Sequence, residues 1–346
     1  MQHVYHFPTT ATSEPWTPPP ASAGHKGRYL WTDAFGVLNF LTLHQETSNP
    51  IFLSHALALI PSVHNVLGRT RDGSSPLPHA TDQAPLAGGL RIGKESATGP
   101  DADGQYHHYL TLWMFALNRA ALAAQDPGYN TMAIQLARAI HPYFVKERES
   151  ARPRMVWKTG VDLNEVMVGS EGNLDPFDGY AVCRLLTGEV ADGVGGEGAL
   201  DAEIGDYSRI VRAKFPKFSS GDSLDQGMAL WTAHWYADED WAAAIIHAVT
   251  EELKVSTVRG PMSHRLAFRE FGECLGIKCA LMGAKKWDER AEDILEEWEV
   301  AGAVPSPKNG AAGMNTEESL QPITCVMYAA ALIPGVFHKG YLIRFP

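Results

Sequence analysis

The chain has 346 residues, with 40 Asp and Glu against 29 Lys and Arg, a formal net charge of −11 and 45% apolar residues. An acidic balance with no basic run excludes a general polyanion binder, so no nucleic-acid partner is expected. The length suits one large domain or two ordinary ones, and no apolar run approaches a membrane span, so no membrane partner is expected.

Residues 1–27 open with MQHVYHFPTTATSEPWTPPP. No charged segment followed by an apolar one is present, so no secretory signal is read there. The Pro/Ser/Thr-rich composition predicts an extended N-terminal arm, with 28–346 forming a single domain. Helical spacing of apolar residues predicts a first helix over Arg28–Thr47 and a second over Ile51–Arg69, kinked or divided at Pro61. Leu53, Ala56, Leu57, Ile60, Val63, Val66 and Leu67 mark the apolar face of the second.

Residues 70–102 are a long Gly/Pro/Ser-rich connection, of a kind that is usually functional or disordered. Within it GGLRIGK, Gly88–Lys94, is too ordered in composition for a linker. A third helix follows over Asp103–Gln125, and a fourth runs from the DPGY break to Val145. A second long connection, 147–172, holds a short strand pair or extended loop over Met155–Leu163. Further helices are predicted over Asn173–Thr187, Ala199–Lys214, Leu224–Ala237, Trp241–Lys254, Met262–Met282, Trp287–Val300 and Glu317–Ile333, the last ended by Pro334-Gly335. EVADGVGGEGAL, 189–200, reads as a flexible link, and VFHKGYLIRFP as a closing strand or coil.

Every second helix begins at a polar cluster: Arg28–Asp33, Asp103–His108, Asn173–Asp178, Ser223–Gln226, Ser263–Arg265 and Thr316–Gln321. Eleven helices in antiparallel pairs, with terminal segments for a twelfth, predict an all-α chain. The expected architecture is an (α/α)6 toroid of six hairpins with long loops over one face. The unequal spacing of the clusters argues against a solenoid of constant period.

Chemistry is expected where the clusters gather. In DGQYHHY, Asp103 suits an N-cap and Tyr106, His107 and His108 fill the first turn. Successive residues point about 100° apart, so His107 and His108 do not both face a cavity, and His108 is the choice. In GNLDPFDGY, Asp175 before Pro176 suits a cap, whereas Asp178, three residues on, is not explained by capping. Two such carboxylates divide acid and base roles if their surroundings separate their pKa values.

WKTGVDLNE supplies Trp157, Lys158 and Asp162 from an overhanging loop, and GGLRIGK supplies Arg91 and Lys94. Cations beside carboxylates suit a polyhydroxylated or anionic small molecule. YLWTD offers Trp31 and Asp33, and SHRLAFREF offers His264 and Arg265. Arg265 and Arg269 share a helical face there, with Glu270 too close in sequence to reach that side.

Cys183, Cys274, Cys279 and Cys325 lack metal-ligand spacing and read as buried free thiols in a reducing compartment. No phosphate loop, dinucleotide fingerprint, GxSxG or HExxH is present, and no cofactor or metal is expected. The expected setting is cytoplasmic, as monomer or homodimer.

The paired helices with clustered N-termini resemble the six-hairpin, (α/α)6-barrel group of enzymes. That group contains glycoside hydrolases, unsaturated-uronide hydrolases, sugar epimerases and some polysaccharide lyases. GGLRIGK…DGQYHHYLTLWMFAL and WKTGVDL…LDPFDG are also similar to segments of a set of bacterial and fungal proteins, a resemblance that brings no activity with it. No acid or base of the six-hairpin group maps onto this chain by motif. Fold alone does not imply function.

The resemblance and the polar rim together imply a cofactor-independent acid/base enzyme for a sugar or sugar-acid derivative, of hydrolase, lyase or epimerase type. Asp175 or Asp178 would be acid or base, Asp33 the partner, and His108 or Tyr106 the proton shuttle. Arg91 and Lys158 would hold substrate. The alternatives are an isomerase, dehydratase or cyclase acting on a terpenoid or polyketide, and a binding protein without catalysis. A wall of paired carboxylates with Arg and Lys favours the sugar; a wall of Phe, Trp, Met and Leu favours the terpenoid.

Overall fold

A computed structural model describes residues 1–10, 14–20, 27–99, 101–188, 198–255, 260–305 and 314–342. Most of the link predicted at 189–200 and the last four residues of the predicted closing segment lie outside them. Among the described residues there are eleven α-helices of 12 to 18 residues, preceded by a four-residue helix, α1 (Gln2–Tyr5). Two compact units divide the chain, 2–211 and 212–346.

The first unit contains α2 (Leu30–Thr47), α3 (Pro50–Leu67), α4 (His107–Ala124), α5 (Pro127–Phe144), α6 (Asp175–Gly188) and most of α7 (Asp201–Lys214). Two-residue links at Ser48–Asn49 and Gln125–Asp126 fold α2 onto α3 and α4 onto α5. Each link repeats one device. A left-handed residue (Ser48, φ 54°; Gln125, φ 53°) ends the first helix. Then Asn49 or Asp126 caps the next with its side chain, and proline takes the first helical position.

Helix α4 also packs on α2 and α6. Every residue of α2 from Leu30 to Thr42 is buried, as is every residue of α4 from Leu110 to Ala121. Such helices are covered on all sides, whereas an outer helix buries one stripe.

Helix α3 buries Phe52, His55, Ala56, Leu59, Ile60, Val63 and Leu67, a stripe rotated slightly from the predicted one. It continues through Pro61, which therefore does not divide it. Its length and apolarity also reach those of a membrane span, contrary to the sequence reading. It packs against α2, and its stripe is the core face of a helical pair.

Tyr5, Phe7, Pro8 and Trp16 lie against this pair. Phe7 meets Phe40 at 4.9 Å and Phe52 at 6.0 Å, and Trp16 meets His55 at 4.7 Å.

The second unit contains α8 (Ser223–His234), α9 (Asp240–Val255), α10 (Ala267–Ala280), α11 (Lys285–Val300) and α12 (Gln321–Leu332). Helix α10 packs on α8, α11 and α12, and α8 on α9. Helix α11 is the amphipathic outer partner, burying Trp287, Ala291, Ile294, Leu295 and Trp298 among its Glu and Lys residues.

Backbones of α8 and α10 touch where glycines meet. A Cβ on Gly276 would stand 2.1 Å from the Gly227 carbonyl oxygen, and one on Gly227 would stand 2.0 Å from that of Gly272. Gly276→Ala is therefore expected to cost at least about 1–3 kcal/mol in chemical denaturation, because two backbones must separate. Gly205→Ala on α7, where nothing lies within 4 Å, is the control and should be neutral or stabilising. Equal effects from the two would disprove the close crossing.

All six polar clusters precede or open α2, α4, α6, α8, α10 and α12. All four cysteines are buried and free. Burial pushes the Cys183 and Cys279 thiols up and lifts Cys325 to about 11, so none of these three is a nucleophile near neutrality.

Candidate active site

The strap Gly88–Lys94 is buried throughout. Arg91 N–H donates to Leu67 at 3.0 Å, Ile92 N–H to Gly104 at 2.7 Å, and Leu30 N–H to Ile92 at 3.2 Å. The strap thus ties the starts of α2 and α4 together.

Asp103 is the centre of this tie rather than the N-cap of α4. One carboxylate oxygen accepts N–H bonds from Gly93, Lys94 and Gly104, and the other receives Arg71 at 3.0 Å and Arg91 at 3.1 Å. The capping position falls to Tyr106, whose side chain makes no cap bond. The chain is held extended through β1 (Gln105–Tyr106), which pairs antiparallel with β4 (Lys158–Thr159). A second two-residue ribbon joins β2 (Val145–Lys146) to β3 (Arg154–Met155). The strand pair expected within Met155–Leu163 does not form there: Met155 pairs back to Val145, and Lys158–Thr159 pairs with Gln105–Tyr106.

In the first ribbon Tyr106 stands opposite Lys158, and directly opposed side chains share a face. The Lys158 ammonium lies 5.0 Å from the Tyr106 ring and that of Lys94 lies 5.9 Å from it. Around Tyr106 the rings of Tyr109 (5.0 Å), Trp157 (5.3 Å) and His108 (5.5 Å) form one cluster, which Trp31 joins at 5.2 Å from Tyr109 and 6.1 Å from His108. Burial raises the Tyr106 phenol, with the Asp103 charge adding to it, so it is a neutral donor near pH 7. Trp31 brings a buried indole N–H with no hydrogen-bond partner among the described residues.

Asp175, in the first turn of α6, faces both histidines of α4. Its Oδ1 is 3.2 Å from His108 Nδ1 and 3.6 Å from His107 Nδ1. Burial pushes this carboxyl up, but the two imidazoles outweigh burial and hold it well below the usual carboxylate range. His107 is fully buried, and burial lowers its pKa, so it is neutral. Its Nε2 is 2.7 Å from the Tyr207 hydroxyl of α7. With the His107 Nδ1 hydrogen turned toward the carboxylate, Nε2 is the acceptor and Tyr207 donates.

His108 also turns Nδ1 to Asp175. Gly172 makes room for this arrangement: a Cβ there would stand 1.9 Å from Asp175 Oδ2 and 3.0 Å from Trp157 Cβ.

The structure thus brings together Trp31, Lys94, Tyr106, His108, Trp157, Lys158 and Asp175. Sequence reasoning passed over His107, Tyr109, Gly172 and Tyr207. The 100° rule set the two histidines apart, yet one carboxylate lies within 3.6 Å of both.

Asp33 goes elsewhere. It is fully buried, accepting from Arg28 at 2.8 Å and Tyr5 at 3.0 Å, about 200° around α2 from Trp31. Asp178 is buried in the first turn of α6. Arg91 spends its guanidinium on Asp103 and the carbonyls of Arg69 and Val66, so it organises the strap. Asp162 closes a turn onto Asn164.

His264 and Arg265 belong to the second unit. His264 is exposed in a 3-10 turn. Arg265 forms a two-bond ion pair with Glu270 at 2.6 Å and a third contact with Glu297 at 2.7 Å. The sequence reading put Glu270 out of reach, but Arg265 precedes α10 in extended conformation and its side chain folds back over the first turn. Arg269 pairs with Asp222. Among the described residues no three His, Cys, Asp or Glu side chains converge on a metal position.

Solved structures resemble the chain over nearly its whole length. A sugar epimerase from a ruminal bacterium matches with a TM-score of 0.61 and 11% identity, over 93% of each chain. The chain has the (α/α)6 fold. A family 76 glycoside hydrolase (mannosidase) from Bacteroides thetaiotaomicron matches with TM-score 0.54 and 12% identity, over 94% of this chain and 91% of that one. A cellobiose 2-epimerase from Bacillus thermoamylovorans matches with TM-score 0.55 and 10% identity, over 92% and 93%. No family model and no curated protein matches the sequence.

Proposed function

We propose that this (α/α)6 protein is an acid/base enzyme acting on a sugar or sugar-acid derivative, of epimerase, lyase or hydrolase type. The observation that carries this reading is the Asp175–His108 pair, 3.2 Å apart, set among the rings of Trp31, Tyr106, Tyr109 and Trp157. An ionised carboxylate on Nδ1 fixes the tautomer and raises the basicity of Nε2, which then takes or gives the substrate proton. Tyr106 is the neutral partner acid, and the aromatic rings are platforms for the C–H faces of a pyranose. The fold's occurrence in a sugar epimerase, a mannosidase and a cellobiose 2-epimerase supports a sugar as substrate.

A carbocation cyclase needs a protonated initiating acid. Asp175 is held ionised, and lysines with a histidine stand among the rings, which favours the sugar over a polyene.

The test is a thermal-shift screen against monosaccharides, uronates, glycosides and terpenoid alcohols. A ligand at 100 times its Kd adds about 2.7 kcal/mol of stability. A sugar-class shift that His108→Gln diminishes is expected. Stabilisation by terpenoid alcohols alone would overturn the reading.

A further inference from the structure

We infer that Tyr207 and His107 are positioning residues for the Asp175–His108 pair: the Tyr207 hydroxyl anchors the His107 imidazole, and His107 in turn holds the Asp175 carboxylate toward His108. The inference rests on the acid/base reading above and adds to it two groups buried behind the pair.

Three contacts make a chain. His107 Nε2 lies 2.7 Å from the Tyr207 hydroxyl, and Asp175 Oδ1 lies 3.6 Å from His107 Nδ1 and 3.2 Å from His108 Nδ1. Both histidines of α4 therefore address one carboxylate oxygen, and Tyr207 reaches the first of them from α7. His107 is 0% exposed and Tyr207 2%, so bulk water serves neither.

The direction of each bond follows from charge. Asp175 is ionised, and a bare Nδ1 lone pair turned to it would be repelled, so Nδ1 carries the His107 hydrogen. Burial keeps the ring neutral and the phenol protonated, so Nε2 accepts and Tyr207 donates. At 3.6 Å the contact with Asp175 is too long for a good hydrogen bond and does not lock the ring by itself. A half-turn about the Cβ–Cγ bond would exchange both nitrogens for carbons and swing Nδ1 away from Asp175. The 2.7 Å bond at Nε2 opposes that turn.

The helix beside it is shaped for the phenol. Gly179 lies four residues past Asp175 on the same face of α6. A Cβ there would stand 2.4 Å from Tyr207 Cζ, the carbon that bears the hydroxyl, and 2.5 Å from Cε1. The His141 ring meets the Tyr207 ring edge-on at 4.8 Å, and the Phe144 ring meets that of His107 at 5.3 Å. The anchor is thus held in place by packing as well as by its bond.

The test is nitrogen NMR of labelled histidines in the full chain near neutral pH, comparing wild type, Tyr207→Phe, Asp175→Asn and the double variant. Wild-type His107 should carry its hydrogen on Nδ1; hydrogen on Nε2 overturns the proposal without any variant. Tyr207→Phe should move the Nε2 signal of His107 and, through Asp175, the signals of His108. In the Asp175→Asn background the same substitution should leave His108 unmoved. Equal movement of His108 in both backgrounds, or none in either, overturns the chain of contacts and leaves Tyr207 a packing residue.

On the sugar returned by the thermal-shift screen, Tyr207→Phe should lower kcat about tenfold with KM changed by less than about twofold, and lower it no further in Asp175→Asn. Gly179→Ala, which displaces the phenol without removing its hydroxyl, should repeat that loss. If Asp175→Asn itself leaves turnover near wild type, the acid/base reading falls, whereas the tautomer of His107 still decides the role of Tyr207.

Discussion

Asp175→Asn should lower kcat on the cognate sugar by about 10²- to 10⁴-fold, the range typical of a lost general acid–base arrangement. Asparagine keeps the shape but loses the charge that two imidazole nitrogens face at 3.2 and 3.6 Å. His108 then loses both its fixed tautomer and the carboxylate that strengthens Nε2 as a base. Because Asp175 acts through His108, KM should move much less than kcat. Imidazole NMR signals should report the tautomer change directly. His108→Gln should cost as much, and the double variant little more than either alone, because the two work as a unit. Turnover within a few-fold of wild type in Asp175→Asn would remove this pair from the mechanism. Asp178→Asn is the paired control: buried in the same turn, it should leave the His108 NMR signals in place.

Stability should fall steeply as pH drops from about 6.5 to 4. Burial lowers His64 to about 4, burial lowers His141 to about 4 despite its Asp206 partner, and burial lowers His107 as well. In the unfolded chain each titrates near 6.5. Between those values the unfolded state binds protons that the folded state refuses, so acidification favours unfolding. Each group contributes at most about 1.4 kcal/mol per pH unit within its window.

The geometry explains the refusal at His64. Trp113 Nε1 donates to its Nε2 at 3.1 Å, an indole can only donate, and a proton on Nε2 would break the bond. Asp33 runs the other way: burial raises its pKa despite Arg28, so it destabilises at neutral pH and that cost is relieved on acidification. One carboxylate does not offset three histidines. Below about pH 4, the depressed carboxyls of Asp175 and Asp206 add further loss as they are protonated. Melting temperatures at constant ionic strength from pH 7 to 4 check this. A flat profile down to pH 4.5 would contradict the neutral, buried histidines, and His64→Gln should flatten the slope.

Much of the helical frame was legible. The breaks at SNP and DPGY carry cap and proline chemistry that acts within three residues, so they predicted the α2–α3 and α4–α5 links directly. Eleven apolar periodicities matched eleven helices, because periodicity reports which side of a helix is covered. Pro61 does not divide α3, although proline removes one N–H donor and crowds the carbonyl four residues earlier, because the rest of the helix is held by its packed face. Asp103 misled in another way. A carboxylate before a helix reads as a cap, and only the folded strap shows two arginines and three N–H groups already converging on it.

Within the site, GGLRIGK, DGQYHHY and WKTG were recognisable as polar clusters. What joins them was not. Asp175 lies 67 residues from His108, and Tyr207 lies 100 from His107. The sequence by itself determined the helices, their pairing and the polar helix starts, because caps, turns and periodicity are local interactions. Tertiary structure alone decided that Asp175 serves His108 while Asp33 serves Arg28. That choice depends on the rotation of each helix about its axis and on the path of long loops, which are set by packing across the whole unit.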